Sequence, residues 1–133
     1  LPIIQKIIPK GGIQALIIAP TRELAVQISA EIVKFSRHSG IHSVTIYGGQ
    51  SMNIQLDELH RGVEIVVATP GRLIDHIKRG SIKLQKVKWV ILDEADTMLD
   101  MGFIDDIKFI LDLVPEDHIS GLFSATMPAA ILM

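Results

Sequence analysis

Two adjacent carboxylates directly follow an apolar segment of the chain. Residues 89–92 are Trp-Val-Ile-Leu, and Asp93 and Glu94 come next. Mg²⁺ binds oxygen ligands and keeps several waters, so one or two carboxylates and a substrate's phosphates can hold it. A second carboxylate beside the first can accept a proton from an attacking water. The pair therefore predicts a metal-linked hydrolytic centre, and the alternative is a turn cap at Asp93 with Glu94 facing solvent.

A third acid, Asp96, lies two residues after Glu94. Three carboxylates so close together repel one another unless a cation or hydrogen-bond donors hold them. The cluster therefore favours a metal-linked role for at least one of the three. The alternative for Asp96 is the first turn of a helix, where an acid complements the helix dipole.

Three further segments contain residue types that can contact phosphates. Each follows an apolar segment and provides a helix start, an arginine or glycines. They are PTRELA at residues 20–25, Gly48-Gly49, and TPGR at residues 69–72. Helix N-termini present N–H groups, arginine forks onto phosphate oxygens, and glycine allows close backbone approach. Ordinary helix capping is the alternative for each segment taken alone. Together at one edge of a sheet, they would form a track that grips a polyanion's backbone without reading bases.

Short apolar segments alternate with amphipathic ones along the whole chain. Strands are predicted at residues 15–19, 43–47, 64–68, 89–93 and 119–124. Helices are predicted after Thr21, over residues 51–61, from Thr69 to Gly80 with Pro70 in the first turn, and over residues 103–114. This alternation predicts an α/β fold with a largely parallel sheet. In such sheets ligands bind at the carboxyl ends of the strands, where the segments described above all fall.

The composition restricts the class of protein. The 133 residues are 48% hydrophobic, and 13 Lys+Arg against 15 Asp+Glu give a net charge of −2, which is too acidic for coating nucleic acid by bulk charge. Cysteine is absent, which excludes disulfides, zinc–thiolate sites and thiol catalysis. No apolar run reaches the roughly 18 residues of a membrane span, and no secretory signal is visible. We therefore expect a cytoplasmic, intracellular protein without membrane contacts.

Charge is distributed unevenly in the second half of the chain. Residues 72–88 carry six cations and one acid, whereas residues 93–117 carry nine acids and one cation. Two solvated faces would account for this pattern, and so would a phosphate-facing side next to a cation-binding side.

The histidines and methionines carry no recognisable site. The five histidines lack metal-ligand spacing, so we expect all of them on the surface. We expect Met98, Leu99 and Met101 in the core near Phe103.

The segments described above resemble motifs of DEAD-box ATP-dependent RNA helicases in order and spacing. The matching segments are PTRELA, Gly48-Gly49, TPGR, DEAD at residues 93–96 and SAT at residues 124–126. The resemblance covers essentially the whole chain. It implies an α/β, RecA-like fold, with a parallel sheet and helices on both faces, that is incomplete because the P-loop strand is absent. Residues 1–133 would then be a partial N-terminal RecA-like helicase domain.

The resemblance also implies a role for each matched residue. Asp93 would hold the Mg²⁺ of ATP through water, and Glu94 would position or deprotonate the attacking water. Asp96 would complete the catalytic group and bond with Ser124 and Thr126, which couple the ATP state to RNA. The RNA backbone would be contacted, without sequence preference, by Thr21, Arg22, Gly49, Thr69, Gly71 and Arg72.

Parts of the family's pattern are missing from this sequence. No G-x-x-x-x-G-K-[ST] loop occurs. That loop and an adenine-reading Gln motif should precede Leu1, residues 1–4 should belong to the helix after the loop, and a second RecA-like domain should follow Met133. We therefore expect the parent protein to couple ATP hydrolysis to RNA unwinding or RNP remodelling, and these 133 residues alone to be inactive.

Two other functions stay open at this point. The first is a non-catalytic RNA- or protein-binding module with the helicase fold, against which a phosphate-binding loop upstream of Leu1 would argue. The second is a two-component receiver or another doubly wound domain with an acidic pocket. Clustered acids suit such a domain, but PTRELA and TPGR have no place in it.

Overall fold

A five-stranded parallel sheet organises the chain in this computed structural model, which describes residues 6–115 and the backbone of residues 119–123. Its strands are β1 (Ala15–Ile18), β2 (Ser43–Ile46), β3 (Ile65–Ala68), β4 (Trp89–Asp93) and β5 (Ile119–Phe123). Their order across the sheet is β2-β3-β1-β4-β5, and every pairing is parallel. The predicted parallel α/β class is confirmed.

The helices of the described residues follow the predicted segments closely. They are α1 (Arg22–Ser36), α2 (Met52–Arg61), α3 (Pro70–Arg79), α4 (Ala95–Asp100) and α5 (Ile104–Leu113). Gly80 ends α3 with a φ of 79°, which the missing Cβ of glycine allows. The helix expected at residues 1–4 lies outside the described residues. Among the helices that the structure describes, none combines the length and the apolarity that crossing a membrane requires.

Side chains of the strands alternate between two faces of the sheet, and each face has its own hydrophobic core. On one face, Leu16 belongs to a cluster with Leu73 of α3 and Ile110 of α5. On the other face, Ile17 clusters with Ile28 of α1. Because strands covered on both faces bury every residue, they are continuously apolar, as the sequence of β1 and β3 shows. Helices therefore cover both faces, as predicted.

The order of the strands brings three loops together at the carboxyl edge of the sheet. The segments after β2, β3 and β1 are neighbours, although β1 comes first in the sequence. We call them the loop row (residues 47–50, 69–72 and 19–22). Backbone hydrogen bonds continue into it, since Ala19 N–H donates to Ala68 O at 3.0 Å and Thr69 N–H donates to Ile46 O at 3.0 Å. The segment after β4 comes next along the same edge.

Two expectations about the core are wrong. Met98 is buried as expected, but Leu99 and Met101 are 53% and 51% exposed. The reason is that α4 spans only six residues, so few of its side chains can face the sheet. Conversely, His76 was expected at the surface and is fully buried, because it lies three residues after Leu73 on the inner face of α3.

Candidate functional site

Asp93 ends β4 with a carboxylate that is buried and has no partner among the described residues. Its side chain is 0% exposed, and neither Oδ1 nor Oδ2 is hydrogen-bonded to a described group. Burial raises the pKa of Asp93 to about 6, and the Glu94 carboxylate adds to this rise; the Glu94 backbone N–H opposes it, although it is not placed for a regular hydrogen bond to either oxygen. A buried carboxylate without a well-formed hydrogen bond is costly, and a bound cation relieves that cost. These two oxygens therefore fit a hard cation such as Mg²⁺.

Glu94 follows with a left-handed backbone, at φ 52° and ψ 52°. For a residue with a Cβ this conformation costs roughly 1–2 kcal/mol, and such strain concentrates at functional sites. The Glu94 C=O accepts from Met98 N–H at 3.1 Å, and its Oε1 accepts from the Thr97 hydroxyl at 3.2 Å. The carboxylate is therefore partly buried and held by α4 directly beside Asp93.

Asp96 is exposed in the first turn of α4, where its charge complements the helix dipole. Its expected partners Ser124 and Thr126 lie outside the described residues. The parallel register pairs Asp93 with Phe123. Within the described residues, no group of three or more His, Cys, Asp or Glu side chains could hold a metal. A cation at Asp93 would thus need oxygens from water and substrate, which Mg²⁺ commonly uses.

Three of the six predicted phosphate-contact residues lie at the start of α1 or next to it. Thr21 caps the helix, since its Oγ1 accepts from Leu24 N–H at 3.2 Å. Arg22 is exposed and lies over the Tyr47 ring, 5.5 Å from its centroid. A Cβ at Gly49 would lie 3.9 Å from Nη1 of Arg22, and Gly49 has a φ of 91°, which favours glycine. Arg22 therefore reaches across the loop row to the segment after β2.

The start of α3 supplies the other three residues of this set. The Thr69 side chain makes no capping hydrogen bond. Gly71 is exposed, and a Cβ there would meet nothing within 4 Å. Arg72 is partly buried, and its Nη1 donates at 3.2 Å both to Gln50 O and to Gln55 Oε1. The structure thus brings all six predicted residues into the loop row and shows that Arg72 makes internal hydrogen bonds there.

Sequence reasoning missed the buried polar groups behind Arg72. Gln55 and His76 are both fully buried, and His76 Nε2 lies 2.8 Å from Gln55 Oε1. His76 Nδ1 lies 2.7 Å from Ser81 Oγ. Burial, and then the charge of Arg72, lower the pKa of His76. The spacing of three residues from Leu73 was the one sequence feature that could have placed His76 on the inner face of α3.

The basic segment at residues 72–88 does not form one phosphate-facing side. Among its cations, Arg72 alone belongs to the loop row. Arg79 pairs with Asp75 at 3.2 Å on the exposed surface of α3, and Lys78 lies 5.6 Å from the centroid of the Phe109 ring. The remaining lysines are exposed on the segment that leads to the amino end of β4, namely Lys83, Lys86 and Lys88. Solvated faces therefore explain most of this charge.

Known proteins are similar to this chain in sequence and in fold. A family model described as DEAD/DEAH box helicase matches residues 1–133. The ATP-dependent RNA helicase DeaD of Escherichia coli (strain K12) is 51% identical over 133 residues, which cover 98% of this chain and 21% of that protein. The crystal structure of a DEAD box protein from the hyperthermophile Methanococcus jannaschii matches with a TM-score of 0.88 and 46% identity, over 98% of this chain and 36% of that chain.

These matches confirm the resemblance and the RecA-like α/β fold that it implied. The chain spans only a fraction of either relative, 21% of the first and 36% of the second. The family model nevertheless matches the whole sequence. This chain belongs to the DEAD/DEAH box helicase family.

Proposed function

We propose that this chain is a partial N-terminal RecA-like domain of an ATP-dependent RNA helicase, which couples ATP hydrolysis to RNA unwinding or RNP remodelling. The observation that carries the proposal is the buried, unpartnered carboxylate of Asp93 at the same sheet edge as the loop row. Membership of the helicase family supports it. Because both relatives are longer, the missing P-loop and second RecA-like domain would come from other parts of the protein, and residues 1–133 alone would be inactive.

Asp93 is the residue proposed to hold the Mg²⁺ of ATP through water. When bound, Mg²⁺ neutralises charge on the phosphates during hydrolysis. The position fits, since both Asp93 oxygens lack a described partner. Burial raises the pKa of Asp93 and so disfavours its charged form, whereas a nearby cation favours that form. Carboxylate and cation would therefore stabilise each other.

Glu94 is proposed to position the attacking water and to accept its proton. Thr97 donates to Oε1, which restricts the carboxylate. The left-handed backbone at Glu94 sets the direction in which α4 leaves the strand. Asp96 would complete this group by bonding with Ser124 and Thr126, and so link the ATP state to RNA. A carboxylate held in this way loses little freedom when it takes up a proton in the transition state.

The loop row is proposed as the surface that binds the RNA backbone. The contacts would come from Thr21, Arg22, Gly49, Thr69, Gly71 and Arg72. Arginines and backbone N–H groups contact phosphates, which carry no base information. The ring of Tyr47 lies under the Arg22 guanidinium, which favours phosphate contact over base stacking at this point. Binding that is independent of RNA sequence follows from this arrangement.

The test is ATP hydrolysis by the full-length protein, measured with and without RNA. We expect RNA to stimulate hydrolysis, and Glu94→Gln to lower the stimulated rate by roughly 10² to 10⁴-fold while ATP still binds. A protein that binds RNA but hydrolyses no ATP under either condition would contradict the proposal. That outcome would instead identify a non-catalytic RNA-binding module with the same fold.

A further inference from the structure

A chain of hydrogen bonds, most of them partly buried, joins α2 to the loop row, and its centre is Gln55, whose side chain is fully buried. Gln55 Nε2 donates to Tyr47 O at 3.0 Å and to Gln50 Oε1 at 2.7 Å. Its Oε1 lies 3.2 Å from Arg72 Nη1 and 2.8 Å from His76 Nε2. A primary amide offers two donor hydrogens and two acceptor lone pairs. Every hydrogen-bonding position of the Gln55 amide is therefore used.

These partners fix the orientation of the Gln55 amide and, for a neutral ring, the tautomer of His76. The Tyr47 carbonyl can only accept, so Nε2 of Gln55 faces it, and the Arg72 guanidinium can only donate, so Oε1 faces Arg72. Because Oε1 accepts, His76 Nε2 carries a proton and donates. The Ser81 hydroxyl lies 2.7 Å from His76 Nδ1 and 3.1 Å from His76 O, and it donates its one proton to Nδ1 when the ring is neutral. The lowered pKa of His76 favours the neutral ring that this arrangement needs.

We call this cluster the Gln55 brace (Gln55, Arg72, His76 and Ser81). It holds both ends of the Gly48-Gly49 turn, because its bonds reach Tyr47 O, Gln50 Oε1 and, through Arg72, Gln50 O. The turn itself has few neighbours: a Cβ at Gly48 would meet nothing within 4 Å, and one at Gly49 only Arg22 Nη1. The position of this turn relative to the start of α3 therefore depends on the brace.

We propose that Gln55 and His76 are positioning residues, which fix the Gly48-Gly49 turn against the start of α3 and thereby set the affinity for RNA without touching it. The inference rests on the proposed function of the loop row. An apolar side chain could fill the volume of Gln55, but it could not hold a carbonyl and a guanidinium at fixed positions. A fully satisfied buried network specifies one arrangement of the segments that it joins.

Two substitutions in the full-length protein remove different hydrogen bonds of Gln55. Gln55→Glu keeps acceptors for Arg72 and His76 but cannot donate to Tyr47 or Gln50, whereas Gln55→Met removes all four bonds at similar volume. We expect the RNA concentration for half-maximal ATPase stimulation to rise about fivefold to tenfold in Gln55→Glu, as the loss of two hydrogen bonds predicts, and at least as much in Gln55→Met, which loses all four. The kcat at saturating RNA and the KM for ATP should not change.

The matched controls are Gln85→Glu and Gln85→Met, at an exposed position on the segment between α3 and β4. If Gln55 served stability alone, its variants would lower the Tm and kcat with an unchanged RNA requirement, and that result overturns the proposal. A changed RNA requirement in Gln55→Glu alone also overturns it, because repulsion between the added carboxylate and phosphates would explain the effect.

Hydrogen exchange at residues 48–50 tests the brace independently of catalysis. Exchange should accelerate in both Gln55 variants and not in the Gln85 variants, and equal exchange in all four overturns the proposal. A wild-type protein whose ATPase does not respond to RNA would contradict the proposed function of the loop row. Hydrogen exchange would then still decide whether the brace positions the turn.

Discussion

Asp93 and the Gln55 brace lie at the same edge of one sheet, yet the buried polar atoms of Asp93 are unpaired among the described residues and those of Gln55 are all paired. Both Asp93 oxygens lack a described partner, and the next residue is strained. Every donor and acceptor of the Gln55 amide is paired. An unpaired buried group costs roughly 1–3 kcal/mol, so a fold keeps one where a ligand completes it. We therefore expect residues with unpaired buried polar groups to contact a ligand, and residues with fully paired ones to position the ligand-contacting residues.

The largest effect is expected at the strained residue beside Asp93. Glu94→Gln keeps the shape of the side chain but cannot accept a proton, so RNA-stimulated ATP hydrolysis should fall by roughly 10² to 10⁴-fold. Nucleotide titration should show ATP affinity close to that of the wild type. Glu58→Gln on α2 is the matched control. Near-normal turnover in Glu94→Gln would remove Glu94 from the role of base.

A smaller effect, on RNA binding, is expected at Arg72, which would both contact RNA and position the loop row. Arg72 belongs to both the loop row and the Gln55 brace, whereas Arg22 belongs to the loop row alone. Arg72→Ala should weaken RNA binding about tenfold for every RNA sequence, and Arg22→Ala should weaken it less. Each should reduce the salt dependence of binding by about one unit of slope. Binding measured at several salt concentrations on unrelated RNAs checks both values, and a loss confined to some sequences would contradict backbone recognition.

Asp93 is expected to lower the stability of the nucleotide-free fold. Asp93→Asn replaces a buried, unpartnered carboxylate by a neutral group, so the nucleotide-free protein should unfold at higher denaturant, with a gain of about 1 kcal/mol. The stabilisation that Mg²⁺ and ATP give the wild type should be lost in the same variant. Asp112→Asn, at an exposed position on α5, controls for net charge. Unchanged or lower stability would show that the Asp93 carboxylate does not lower the stability of the fold.

Local sequence patterns predicted the fold and the loop row, but not the brace. The strands are apolar runs, and Thr21 and Thr69 begin helices at the positions where their sequences predict them. Gln55 and His76 are 21 residues apart and meet only because the fold brings these two side chains together, which no local pattern encodes. The left-handed backbone of Glu94 could not be predicted from the sequence either, because it arises where a strand leads directly into a helix.

The smallest effect is expected in the pH dependence that the brace gives to stability. Burial and Arg72 lower the pKa of His76 below its ordinary value of 6.5, with a weaker lowering from Arg79 and an opposing effect from Asp75. The unfolded chain therefore binds this proton more readily than the folded one. The His76 contribution is complete above pH 6.5 and decreases as the pH falls through 6.5 toward the lower folded pKa, by at most about 1.4 kcal/mol per pH unit.

His76→Gln isolates this contribution, because glutamine does not titrate and all other groups are shared with the wild type. Denaturant midpoints measured between about pH 8 and pH 5 should converge as the pH falls, since only the wild type loses the histidine contribution. Protonation would place a second positive charge beside Arg72 and would turn the Ser81 hydroxyl away from Nδ1, which now accepts its hydrogen bond. Parallel pH profiles would mean that the brace accommodates a charged His76, and the neutral tautomer assigned to it would then be wrong.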